Sequence, residues 1–191
     1  MDKFEIDNVM KISRLISELD LERASALQSK LRWMIKDDSS LKPIRRHLRD
    51  LIIAYENTNW RNEKSISGKQ IIENDKAVDL ILYESRFIQR RKFLIKEALG
   101  KYGLTQQHLA TILGHRKSYM SELINGIRSF SMSDLTIIHR ILKIKLDDLF
   151  LTVIKGEIAI HIKDVLNNLD KPNLKLDKAD LPELQLEFAG C

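Results

Sequence analysis

Residues 104–128, LTQQHLATILGHRKSYMSELINGIR, hold two short amphipathic segments with only Leu113-Gly114-His115 between them. A core helix would run straight through such a stretch. Glycine at 114 can instead take the left-handed conformation that stops one helix and turns the chain sharply. Thr105 is placed to cap a first helix ending at Leu113, whose buried side is Leu104, Leu109, Ala110 and Leu113. The spacing predicts a second helix over about Arg116–Ile124. It buries Met120, Leu123 and part of Ile124, and shows Lys117, Ser118, Ser121 and Glu122 on its other side. Asn125-Gly126 follows as a helix stop; no strand-like alternation flanks it, so it is not a hairpin turn.

The remainder of the chain is also helical in character, with seven glycines and three prolines in 191 residues and many Leu, Ile, Lys and Glu. A first helix is expected over about Asn8–Leu19, with Met10, Ile12, Leu15, Ile16 and Leu19 as its apolar set. Asp20 then reads as the N-cap of a second, with Leu21, Ala24, Leu27, Leu31, Met34 and Ile35 on one side. Trp33, beside that stripe, is most simply core. The cluster Lys36-Asp37-Asp38-Ser39-Ser40 breaks this helix, and Pro43 suits the first turn of the next, which carries Ile44, Leu48, Leu51, Ile52 and Tyr55. Residues 1–56 thus read as a helical bundle for interaction or dimerisation, and 57–76, gathering Asn, Ser and Gly, as a linker. Helix returns around Val78, Ile81 and Leu82 and continues through the basic run Arg86–Lys92 to an end at Gly100 and Gly103. A domain over 77–152 follows, then 153–191 with one more helix and an extended tail; alternation at Ile158, Ile160 and Ile162 fits a strand as well, but the helix is favoured.

Composition narrows the function classes. The chain is 43% hydrophobic and 31% charged, globular rather than disordered, and no apolar run approaches a membrane span. Acids in MDKFEIDNVMK stand where a signal peptide is basic, so a cytoplasmic protein is expected, with no membrane association. Cys191 is the single cysteine, which excludes an intrachain disulfide. His47, His108, His115, His139 and His161 lie on separate segments without metal-ligand spacing, and Asp37-Asp38 and Asp147-Asp148 suit helix ends better than acid–base catalysis. No phosphate-cradling glycine loop or nucleophile motif is present, so neither an enzyme nor a cofactor or metal site is expected. The net charge is +5, with the basic excess in residues 59–101 and a slightly acidic tail. A basic middle permits phosphate contacts, although a solvated basic helix face has the same composition.

Two helices joined at a large angle by a tight glycine turn make a helix-turn-helix, whose second helix can project into a major groove. Arg116, Lys117 and Ser118 would then sit at the projecting tip, where the helix start also offers N–H groups to phosphate. A plain helical hairpin would share the same glycine and apolar spacing.

The stretch LTQQHLATILG, the helix after it, INGIR at its end and DLTIIHRILKIKLDDLF beyond together resemble the lambda-repressor/Cro-like (XRE) DNA-binding family, over roughly Ile88–Phe150. Within that family YGLTQQHLATILGHRKSYMSELINGIRSFSM looks most like the HigA-type antitoxins. The resemblance implies an all-α chain, with an N-terminal helical bundle ahead of a five-helix lambda-repressor-like domain. It also suggests roles at matching positions. Gln106 would bond a phosphate and brace the recognition helix, and Lys117 and Ser118 would read bases. Ser121 and Glu122 would face the same groove one turn on. Asn125, Arg128 and Arg116 would contact phosphate, and Tyr119 would pack on sugar and thymine methyl groups or be partly buried.

Two functions follow from the resemblance. One is the DNA-binding antitoxin of a type II toxin–antitoxin pair, a homodimer on an inverted-repeat operator that also neutralises a small basic RelE-like ribonuclease toxin. The other is a stand-alone XRE-family repressor whose N-terminal helices serve dimerisation or sensing.

Overall fold

The computed structural model describes residues 4–36, 38–62, 66–151, 156–169 and 173–174. Among these, all regular structure is helical: α1 (Ile6–Val9), α2 (Glu18–Met34), α3 (Lys42–Asn59), α4 (Gly68–Lys101), α5 (Gln106–Leu113), α6 (Lys117–Ile124), α7 (Met132–Leu142) and α8 (Gly156–Asn168). Single 3-10 turns lie at Ser39–Leu41 and Leu146–Asp148. The chain divides into two compact units after Leu149. In the second, 156–168 is a helix rather than a strand, and most of the expected tail lies outside the described residues.

The helix expected over Asn8–Leu19 does not form. α1 stops at Val9, and α2 begins at Glu18 because Ser17, not Asp20, caps it. Ser17 Oγ accepts from the Asp20 amide (3.2 Å), and Asp20 Oδ2 accepts from the Ile16 amide (3.0 Å). These two bonds satisfy donors at and just before the helix start that a continuous helix would have used internally. Ile12 and Leu15 still reach the core, from non-helical chain, while Met10 and Ile16 are exposed. α2 buries Leu21, Ala24, Leu27 and Leu31, and α3 buries Leu48 and Leu51, on the sides their spacing predicts. Trp33 departs from expectation: it is 67% exposed, with Lys36 Nζ over its ring at 5.0 Å. It neighbours the apolar stripe in sequence but points away from it around the helix.

The stretch 57–76, read as a linker, is helical at both ends, since α3 runs to Asn59 and α4 begins at Gly68. Ser67 caps α4, its Oγ accepting from the Gln70 amide (3.1 Å), while Gln70 Nε2 donates to the Asn59 carbonyl (3.2 Å). Glu18 ties the corner together. Its buried carboxylate accepts from Tyr55 Oη (3.0 Å), Trp60 Nε1 (3.1 Å) and Asn74 Nδ2 (3.5 Å), and so joins α2, the end of α3 and the start of α4. At the N-terminus of α2 the charge is also favoured by the helix dipole. Burial and the Glu18 bond push the Tyr55 hydroxyl well above its ordinary range.

α4 is therefore a single helix of 34 residues, with Gly100 inside its last turn rather than ending it. It packs against α2, α5, α7 and the turn at Leu146–Asp148. Arg23 on α2 pairs with Glu84 at 3.2 Å, and further along α4 Ile95, Ala98 and Leu99 are buried. The N-terminal bundle and the segment beyond Gly103 share this helix.

Candidate nucleic-acid interface

α5 starts on a capping box. Thr105 Oγ1 accepts from the His108 amide (3.2 Å), and His108 Nδ1 accepts from the Thr105 amide (3.2 Å). It stops at Gly114, φ +72°, where the His115 amide returns to the Ala110 carbonyl (2.8 Å) and the Gly114 amide to Thr111 (3.2 Å). This pair of bonds satisfies the last carbonyls of α5 while the chain turns. His115 Nε2 lies 2.9 Å from Asp134 Oδ1, and Asp134 belongs to the capping box that opens α7, where Ser131 Oγ accepts from its amide (3.1 Å). The turn between α5 and α6 is thus pinned to the start of α7.

α6 buries Met120, Leu123 and Ile124, as its spacing predicts. Arg116, Lys117, Ser118 and Tyr119 are exposed, Ser121 and Gln106 half-buried. No side chain caps α6, so the first amides of the helix have no side-chain acceptor beside the exposed Arg116 and Lys117. Tyr119 is held between neighbours. Its ring lies 4.9 Å from that of His115, and the Arg128 guanidinium sits 5.0 Å from its centroid.

Glu122 is not on the exposed side. It is 8% exposed and accepts from Arg128 Nε. The reason lies after the helix. Gly126, φ +66°, reverses the chain, and the Ile127 amide returns to the Glu122 carbonyl (2.9 Å). This folds Arg128 back beside Glu122. The rest of the loop is held as firmly: Asn125 Oδ1 accepts from Lys92 Nζ (2.7 Å), and its Nδ2 donates to the Ser121 carbonyl (2.8 Å). The Gly126 carbonyl accepts from Lys30 Nζ (3.3 Å), and Ile127 is buried in the N-terminal core with Phe4, Ile6 and Val9. The Arg128 fork donates to both oxygens of Asp7 on α1, at 2.9 Å for Nη2 to Oδ1. Asn125 and Arg128, expected at phosphates, therefore spend these donors and acceptors on protein groups.

Asp7, Lys30 and Lys92 were not legible as parts of this site, because each comes from a helix remote in sequence and none belongs to a local motif. Burial pushes Lys30 and Lys92 below the ordinary lysine range, with Lys96 adding to the effect at Lys92. Close by, burial brings Arg91 down to about 10, still charged at neutral pH, and it stacks on Phe130 at 5.1 Å. Bonds from Asp7 and Glu122 raise Arg128, and the same Arg128 bond lowers Asp7 below the usual carboxylate range.

The Asp7 contribution is present above the pKa it has in the unfolded chain and disappears as pH falls through its lower folded value. With a 68% exposed Asp7 side chain it is worth at most about 1 kcal/mol. The Arg128 Nη resonances, which report the bonds to Asp7, are expected to shift as pH falls through that lowered value. Asp7→Asn should already carry part of that shift at pH 7; identical spectra would show the pair is not formed in solution.

Residues 95–149 match the model of a family described as helix-turn-helix. These residues are a helix-turn-helix domain. The match takes in the end of α4, all of α5, α6 and α7, and the turn at Leu146–Asp148. No curated protein and no solved structure matches the chain. Among the described residues, no helix is long and apolar enough to cross a membrane, and no cluster of His, Cys, Asp or Glu is placed to hold a metal ion.

Proposed function

We propose that the protein is a DNA-binding transcription regulator that inserts the start of α6 into a major groove. The observation that carries this reading is the outward face of α6: uncapped amides with Arg116, Lys117 and Ser118 beside them, inside a helix-turn-helix family match. Arg116 and the amides engage phosphate, while Lys117 and Ser118 reach base edges, lysine being suited to the acceptors of guanine. Gln106, at the start of α5, takes the neighbouring phosphate, and Ser121 and the outer edge of Tyr119 line the groove. Glu122, Asn125 and Arg128 act instead by fixing the loop that follows the recognition helix.

The protein works as a cytoplasmic homodimer on an inverted repeat, with the two α6 helices about 34 Å or a multiple of it apart. Selection from a random duplex pool, followed by anisotropy titrations, tests this. Lys117→Ala is expected to cost about 1–3 kcal/mol and to relax the preference at one base pair. Equal weakening on every sequence would move Lys117 to the phosphate set, and failure to select any duplex would sink the reading.

Within that class we favour an antitoxin that represses its own operon and neutralises a small basic RelE-like ribonuclease. Support comes from the resemblance of residues 102–132 to HigA-type antitoxins and from the helical bundle ahead of the domain. Co-expression with the product of the adjacent gene should give a co-purifying complex without ribonuclease activity. A chain that binds its operator but captures no such product is a stand-alone repressor.

A further inference from the structure

On α4, Ile72, Asp75, Asp79, Leu82, Arg86 and Phe93 follow one another at steps of three, four, three, four and seven residues, and so lie along one side of the helix. Ile72, Leu82 and Phe93 are 56%, 46% and 64% exposed. Single exposed apolar residues are ordinary; the charges between these are not. Asp75 and Asp79 are like charges four residues apart, as are Arg86 and Arg90, an arrangement that disfavours an isolated helix. The side chains of Asp75, Asp79 and Arg86 make no hydrogen bond or ion pair with any described residue, whereas Arg90 pairs with Asp148 at 3.1 Å and remains largely exposed. The helix dipole does not explain the segregation, because its influence is confined to the end turns and Asp79 and Arg86 lie mid-helix.

Acids before Leu82 and bases after it make the stripe complementary to itself in one orientation. We propose that α4 pairs antiparallel with α4 of a second copy of this chain, across a two-fold axis beside Leu82. Asp79 then faces Arg86 of the second copy, Asp75 faces its Arg90, and Ile72 meets its Phe93, each contact occurring twice as an isologous interface requires. A parallel pair would oppose like charges. The pairing supplies the two-fold symmetry that an inverted repeat demands. It rests on that reading only for its use and is tested without DNA, so either can fail alone.

Sedimentation equilibrium of the full chain is expected to show a dimer. Asp79→Lys and Arg86→Asp, which each oppose two like-charge pairs, should raise the dissociation constant at least about tenfold, with helix content unchanged by circular dichroism. Mixing these two variants restores opposite charges at both contacts, so a heterodimer should form more tightly than either homodimer. Leu82→Asp should be monomeric. A wild-type chain that stays monomeric, whether its stripe is bare or covered by another part of the chain, overturns the proposal. So does a dimer indifferent to both charge reversals, or a mixture with no heterodimer preference.

Discussion

Met120→Asp is expected to unfold the helix-turn-helix domain and abolish DNA binding with it. Met120 is 0% exposed on the inner side of α6 beside Leu123 and Ile124. Removing a buried methionine costs about 2–5 kcal/mol, and burying an unpaired carboxylate adds several more. The total rivals the whole stability of a typical domain. The damage should not stop at the domain, since α4 runs into both halves of the first unit and Ile127 is buried in the N-terminal core. Thermal melts by circular dichroism should therefore show loss of one cooperative transition rather than of the second of two. Ser118→Asp, two residues away on the exposed side, should keep the melt and lose only DNA binding by charge repulsion. A folded Met120→Asp protein would mean that α6 does not pack as described.

The contrast between those two neighbours shows what a sequence carries. The Thr105 cap, the left-handed Gly114 and the inward side of α6 follow from rules acting over three or four residues, and the structure has them at the expected positions. Where a local rule has two claimants, a local pattern does not choose between them. Ser17 and Asp20 can both cap; in the fold Ser17 Oγ takes the Asp20 amide and the Asp20 carboxylate takes the Ile16 amide, so the helix starts after Ser17 and the chain before it is not helical. The stretch 57–76, expected as a linker, is helical at both ends for a related reason. Asn, Ser and Gly there are a helix end, a cap and a helix start, and Glu18, from far earlier in the chain, holds them together. Helical phase puts Glu122 on the outer side of α6, since phase alone cannot anticipate an arginine returning after a glycine. The ties of Asp7 to Arg128 and of Lys30 to Gly126 join residues more than ninety positions apart. Only the folded chain could bring them together.

Gly126→Ala is expected to be the most damaging glycine-to-alanine change among the described glycines, and Gly114→Ala offers the control. Both glycines have positive φ, near +66° and +72°, where an L side chain costs roughly 1–2 kcal/mol. At Gly114 an added Cβ meets open space, so backbone strain is the whole expense. At Gly126 the same atom would lie 2.7 Å from Ile88 Cδ1 and 2.9 Å from its Cγ2, on α4. Ile88 is β-branched and cannot swing both atoms away by one rotamer change, so overpacking adds about 1–3 kcal/mol. Chemical denaturation should place Gly126→Ala about 2–5 kcal/mol below wild type and Gly114→Ala within about 2. Function should separate them further. The loop at 125–128 carries Ile127 into the N-terminal core and Arg128 to Asp7, so displacing it from α4 shifts the end of the recognition helix. In conditions where both variants remain folded, Gly126→Ala should bind a selected duplex more weakly than Gly114→Ala. Equal stability of the two would show that Ile88 does not press on the loop, and that the recognition helix is held without the N-terminal bundle.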